Sequence, residues 1–381
     1  MKKNIVPLKN YIFEYSVRNK NDESIPVYSV TNDLGFCTDY FSKEVASKDK
    51  TTYKIVPQGF FAYNPSRINV GSVDWQKKEH QVVVSPLYVV FGVSPMLDQQ
   101  YLLYYLKSEI ALNYIRAYAT GSVRDNLKFA TLQEFPINLC SLEEQKEIVS
   151  KLDHVNSLIT ARREQLAKLD ELVKSRFIEM FGDPVSNPMG WGKKTLKEVC
   201  LKLNDGTHFS PESFETGEYK YVTAKNIKMS GFDFSNITYV PEEVHRPIYE
   251  RCNPELGDVL YIKDGATTGI AMVNTLEEEF TLLSSVALLK QDRRIMNGYF
   301  LAALLNNESM YTDIRGNMGG AAITRLTIAK LNAIKVVLPP IELQNQFAAF
   351  VEQVDKSKFE IQKSLEKLET LKKALMQKYF G

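Results

Sequence analysis

The chain is poor in the residues that would mark it as a small secreted fold or a metalloprotein. Its four cysteines, Cys37, Cys140, Cys200 and Cys252, stand far apart with no CxxC pair. That spacing argues against a disulfide framework and a cysteine zinc site, and it predicts reduced thiols in the cytoplasm. The four histidines, His80, His154, His208 and His245, are equally scattered, and His154 is expected on a helix surface. No charge of one sign dominates: 47 basic residues face 46 acidic ones, for a net charge of +1. A bulk electrostatic attraction to nucleic acid is therefore excluded, and any such contact must come from local patches or partner subunits. No run of 18 apolar residues exists, so no membrane span is expected. The basic start is followed only by the short apolar stretch Ile5 to Leu8, too brief for a signal peptide.

Catalytic motifs are also missing. There is no glycine-rich phosphate loop, no HExxH and no nucleophile elbow. The stretch Asn64, Pro65, Ser66 only brushes against the Asn/Asp-Pro-Pro-Tyr of adenine methyltransferases. Asp205 with Glu218 and Lys220 mimics the acid and Glu-x-Lys trio of metal-dependent nucleases, but a solvated loop between strands is the plainer expectation. A binding chain without an active site or a cofactor of its own is the reading that remains.

What is present is a repeat. Shifted by 199 residues, Phe135 to Gly182 falls on Ile334 to Gly381 without a gap, and 11 of 48 positions are identical, Gln145 and Gln344 among them. Each copy carries apolar residues at alternating steps of four and three. They are Ile148, Leu152, Val155, Ile159, Leu166 and Leu169 in the first, and Phe347, Val351, Val354, Ile361, Leu365 and Leu368 in the second. This is a coiled-coil seam, interrupted by Arg162 and Arg176 in one copy and Lys358 and Lys372 in the other. Ser141 to Glu144 reads as a capping box, and Gly182 and Gly381 as C-terminal caps. Each helix, of about 40 residues, would run about 60 Å. Neither is apolar all round, so each needs a partner, and the other copy is the simplest one.

Between the helices lie strand-rich segments. Pro26 to Val30, Tyr53 to Val56, Gly59 to Tyr63, Gln81 to Val84 and Leu87 to Phe91 read as strands, and Asp98 to Ala119 as one amphipathic helix. After the turn-rich linker Gly182 to Gly190, landmarks recur: Gly257, Tyr261 and Gly269 match Gly59, Tyr63 and Gly71, and Met296 to Tyr311 reads as the equivalent helix. The expected fold is α+β. Two strand-rich globular domains (1–140 and 183–339, the latter with the linker) alternate with two long helices (141–182 and 340–381) paired as an antiparallel coiled coil with pseudo-two-fold symmetry.

This architecture, with Trp191 to Val199, Tyr221 to Asn226, Gly257 to Tyr261 and the Leu338-Pro-Pro-x-Glu-x-Gln344 entry into the second helix, resembles the specificity (S) subunit of type I restriction-modification systems. The first copy of the entry departs from the pattern as Leu139-Cys-Ser-Leu-Glu-Glu-Gln145. The resemblance implies target recognition domains that each read half of a split site on double-stranded DNA. It also implies helices that set the gap and dock two methyltransferase (M) subunits. S-adenosylmethionine would belong to the M subunits, and ATP and Mg to restriction (R) subunits. A recognition subunit of a type II-like methyltransferase-nuclease, or a coiled-coil adaptor without DNA contact, are the alternatives.

Base-reading candidates follow from residue type, since Arg and Lys suit guanine, Asn and Gln suit adenine, and Ser and Thr adapt. In the first domain they are Asn64, Ser66, Arg67 and Asn69 in one loop, and Ser122, Arg124, Asn126 and Lys128 in another. In the second they are Lys263, Asp264, Thr267 and Thr268, then Asn317, Thr324 and Arg325, with Thr207 and His208 on an earlier loop.

Overall fold

The computed structural model describes residues 4–38, 49–119, 126–316 and 325–381. The chain forms two compact units: Met1–Arg163 with Lys363–Gly381, and Glu164–Gln362. Both long helices therefore contribute to both units.

In the first unit the central sheet is antiparallel, with neighbours in the order Ile12–Glu14, Val89–Val93, Phe61–Tyr63, Val73–Trp75. The second unit repeats it: Cys200–Asp205, Val286–Gln291, Val259–Ile262, Ala271–Val273. In each unit a short strand from the start of the globular part pairs with the strand that leads to the long helix. These pairs are Ile5–Pro7 with Pro136–Asn138, and Lys193–Thr195 with Lys335–Val337. A second layer holds Lys54–Pro57 against Gln81–Val84 in the first unit. In the second unit it holds Tyr219–Val222 between Thr238–Val240 and a parallel Phe280–Leu282.

The helix expected over Asp98 to Ala119 is in fact two, Gln99–Leu106 and Glu109–Tyr118. Ser108 makes the break: its Oγ accepts from the Ala111 amide at 3.3 Å, starting a new helix where periodicity alone saw continuity. The equivalent segment is likewise Gly298–Asn306 and Glu308–Gly316, with Asn307 accepting from the Ser309 amide at 3.1 Å.

The long helices are Leu142–Phe181 and Ile341–Phe380, 40 residues each. The capping box forms: Ser141 Oγ accepts from the Glu144 amide, and Glu144 Oε2 accepts from the Ser141 amide, both at 3.2 Å. Gly182 ends the first helix at φ 73°, where a side chain would be strained. Within each unit the two helices lie side by side and antiparallel. In the first, Arg163 meets Glu369 at 2.7 Å, and Phe380 shares a core with Ile148 and Leu152. In the second, Lys358 meets Asp170 at 2.5 Å, and Phe177 and Phe181 both lie 5.6 Å from the Phe347 ring. Ile148, Leu152, Val155, Ile159, Phe347, Val354 and Leu365 are buried; Leu166, Leu169, Val351, Ile361 and Leu368 are half-buried. Two of the basic interruptions now have a reason. Arg162 donates to Ser364 Oγ across the pair at 3.3 Å, and Lys358 takes Asp170, so each keeps its charge at the seam edge.

The repeated glutamines hold each helix to its globular part. Gln145 is fully buried; its Oε1 accepts from the Asp98 amide at 2.8 Å, and its Nε2 donates to the carbonyls of Met96 (3.1 Å) and Cys140 (2.9 Å). Gln344, also fully buried, accepts from the Asn297 amide at 2.9 Å and donates to Ile295 (3.0 Å) and Pro339 (2.8 Å). Each partner in one set lies 199 residues from its counterpart in the other. Both clamps seize the N-terminus of a domain helix, where backbone amides lack partners.

Candidate nucleic-acid interface

In the first unit the strand Phe61–Tyr63 runs out into a tight turn. Asn64 Oδ1 accepts from the Ser66 amide (3.1 Å) and hydroxyl (2.9 Å), and the Arg67 amide donates to the Asn64 carbonyl at 3.0 Å. This local bonding is why Asn and Ser stand there. It exposes Arg67 and leaves Asn64, Ser66 and Asn69 half-buried. The loop before helix Phe129–Gln133 exposes Asn126 and Lys128. The two loops are bonded together: the Leu127 amide donates to the Pro65 carbonyl at 3.2 Å, and Tyr63 Oη donates to the Leu127 carbonyl at 3.1 Å. An open groove of about 470 Å³ lies here, lined by Pro65, Asn126 and Lys128 together with Glu14, Leu87 and Val89.

The second unit joins the equivalent loops by the equivalent bond, the Leu326 amide to the Lys263 carbonyl at 2.8 Å. Asp264 and Arg325 form a backbone bridge, and their side chains pair at 3.5 Å. Arg325 and Thr267 are exposed, and Asp264 is half-buried. Three candidates are interior instead. Lys263 is 2% exposed, Thr207 2% and Thr268 0%. Lys263 Nζ meets the buried Asp205 carboxylate at 3.2 Å, and the same carboxylate takes Arg251 at 3.5 Å and His208 Nε2 at 3.2 Å. Thr268 Oγ1 donates to the Gly265 carbonyl at 2.7 Å. These side chains hold loops in place; a buried lysine already committed to a carboxylate is not offering its charge to a phosphate or a base. Ser122, Arg124, Asn317 and Thr324 lie outside the described residues.

Asp205 is therefore buried rather than in a solvated loop, and its cationic partner is Lys263 rather than Lys220. It ends the strand Cys200–Asp205, and Lys220 Nζ is engaged by Glu278. Among the described residues no group of three or more His, Cys, Asp or Glu could hold a metal ion. Arg251 was missed in the sequence because it comes from helix Glu242–Arg251, distant in the chain from the strand it meets.

Residues 3–171 and 188–373 match the family described as the type I restriction modification DNA specificity domain. The chain belongs to that family. It is a DNA-recognition (specificity) subunit of a type I restriction-modification system rather than a catalytic chain. Relatives include the MjaIX specificity subunit of Methanocaldococcus jannaschii, 24% identical over 296 residues that cover 73% of this chain and 67% of the relative. The MjaVIII specificity subunit of the same organism is 22% identical over 358 residues, covering 89% and 83%. In fold, the chain is similar to the S subunit of a type I system from M. genitalium, with a TM-score of 0.61, 16% identity and coverage of 100% and 97%. A chain from a structure concerned with complex assembly and conformational transition of the type I system aligns with a TM-score of 0.56, 18% identity and coverage of 100% and 98%. Among the described residues no helix is long and apolar enough to cross a membrane.

Proposed function

We propose that this specificity subunit reads a bipartite DNA site, one half through each globular domain (1–140 and 183–339). The spacer helices, 141–182 and 340–381, set a non-specific gap of roughly 5–8 base pairs, near one turn of duplex between half-site centres. The observation that carries this reading is the recurrence of one joint: in each unit the loop after the central strand is bonded to the loop after the helices, Pro65 to Leu127 and Lys263 to Leu326. Side chains on such joined loops share one rigid support, which base readout needs. The reading residues are Asn64, Ser66, Arg67, Asn69, Asn126 and Lys128 in the first domain, and His208, Asp264, Thr267 and Arg325 in the second. Lys263, Thr207 and Thr268 support them from beneath.

The helices also dock two methyltransferase subunits, which bind S-adenosylmethionine, and restriction subunits using ATP and Mg join that assembly. Exchanging residues 1–135 for the corresponding domain of another family member, followed by methylome sequencing, tests the modular reading. One half-site is expected to change and the other to persist; a change in both halves would refute it.

A further inference from the structure

Among the described residues, each unit exposes a large apolar side chain on a braced turn beside its joined loops. In the second unit it is Phe209, 62% exposed. The Thr207 hydroxyl brackets it, accepting from the Phe209 amide at 3.4 Å and donating to the Phe209 carbonyl at 3.2 Å. The turn packs against backbone so closely that a Cβ at Gly206 would stand 1.9 Å from the Leu282 carbonyl oxygen. Beneath it sits the Asp205–Lys263 ion pair. The Ser284 amide donates to the Thr207 carbonyl at 2.8 Å, and the Lys263 amide donates to the Ser285 carbonyl at 2.9 Å, which ties the Phe209 turn to the loop of Asp264 and Thr267.

In the first unit it is Leu87, 78% exposed, next to the buried Tyr88. Its turn is fixed by the Tyr88 amide on the Ser85 carbonyl at 3.0 Å and by Lys54 Nζ on the Tyr88 carbonyl at 2.6 Å. Leu87 lines the same groove as Asn126 and Lys128. The Leu87 turn enters strand Val89–Val93, and Ser284 and Ser285 enter the equivalent strand Val286–Gln291. Both apolar tips thus stand at the same end of the same sheet in its two copies.

A lone exposed apolar residue needs no explanation. Two at the same end of equivalent sheets, on different braced turns among polar and basic side chains, do. Around the Phe209 turn His208 and Arg251 meet the Asp205 carboxylate, and Arg325 pairs with Asp264 on the loop tied to it, each about half exposed; such polar surroundings suit a nucleic acid rather than an apolar protein surface. We infer that Phe209 and Leu87 are wedges that press against a base step of the half-site their own domain reads. This inference rests on the bipartite reading above and adds to it a shape-dependent term: a step that unstacks readily is preferred at that place without a hydrogen bond to either base.

The test uses the full chain assembled with its methyltransferase partner on a duplex bearing the methylated site. Loss of base stacking predicts that Phe209→Ala weakens binding by between about 5- and 100-fold. The loss should be equal at low and high salt, because no phosphate contact is removed, whereas Arg325→Ala should flatten the salt dependence. Methylome sequencing of Phe209→Ala should show relaxed letters at one step of one half-site, and Leu87→Ala the same in the other half. Unchanged affinity and unchanged letters in both variants overturn the proposal. So does a variant that binds the methyltransferase less well while treating DNA normally, which would make these tips protein contacts. If the unaltered complex shows no preference for a bipartite site, the parent reading falls with it, and that result is distinct from either variant failing alone.

Discussion

Replacing Gln344 by alanine removes three hydrogen bonds from a site with no water access, and its cost can be worked from the structure. The Asn297 amide loses its acceptor, and the carbonyls of Ile295 and Pro339 lose their shared donor. A buried polar group left without a partner costs about 1–3 kcal/mol, the amide more than a carbonyl. The three together should cost roughly 3–5 kcal/mol, a large part of the roughly 5–15 kcal/mol that stabilises a typical domain. For a unit of this size that corresponds to a melting point lower by about 6–20 °C. The loss should also be local before it is global. Helix Gly298–Asn306 is capped by Asn297, whose own side chain accepts from the Tyr299 amide at 2.9 Å. With the clamp gone, hydrogen-exchange mass spectrometry should show early exchange at Asn297 and the first turn of that helix, while the segment around Asp98 stays protected. Gln145→Ala should give the mirror result, early exchange at Asp98 and normal protection at Asn297. The two losses should add, since the clamps share no partner. A Gln344→Ala protein that melts within about 1 °C of the original, with unchanged exchange at Asn297, would show that the glutamine is not the clamp described.

Other predictions are shorter. Burial pushes the thiols of Cys200 and Cys252 up to about 12, so at pH 9 only about one molecule in a thousand carries either thiolate. Maleimide should label Cys37 first, and Cys252 only on unfolding, as read by peptide mass mapping. His245 is fully buried against the Tyr219 ring at 3.9 Å, and burial lowers its pKa below the usual 6.5, outweighing the raising effect of Glu279. The unfolded chain therefore binds the extra proton more readily, so the contribution of neutral His245 is whole above pH 6.5 and is lost as pH falls through its folded pKa. Thermal melts should decline between pH 7 and 5, and His245→Asn should flatten that decline; an equal slope in both proteins would refute the assignment. Deleting four residues within 150–170 rotates the rest of the helix off its seam and shortens the spacer. Methylation of the native site should then cease, and its persistence would exclude a ruler role. Phe380→Ala removes a ring packed 5.1 Å from Tyr101 and should destabilise the first unit by about 3–5 kcal/mol, measured by urea denaturation.

The long helices, their seam and their repeat were legible in the chain because a helix is a local object: its period, caps and apolar stripe are all written within 40 consecutive residues. Even the importance of Gln145 and Gln344 was visible as identity between copies, though not its cause, since their partners lie up to 49 residues away. The split at Ser108 was missed because a serine inside an amphipathic pattern becomes a cap only when packing turns the chain there. The loops proposed to read DNA were chosen by residue type and place between elements, and the bonds Pro65 to Leu127 and Lys263 to Leu326 join the described ones within each unit. Direction of each side chain was beyond the sequence. Lys263 and Arg325 look alike as basic loop residues, yet one is buried on Asp205 and the other is exposed over Asp264. That difference depends on whether a carboxylate from a distant strand arrives inside or outside the loop, and only the packed sheet decides it.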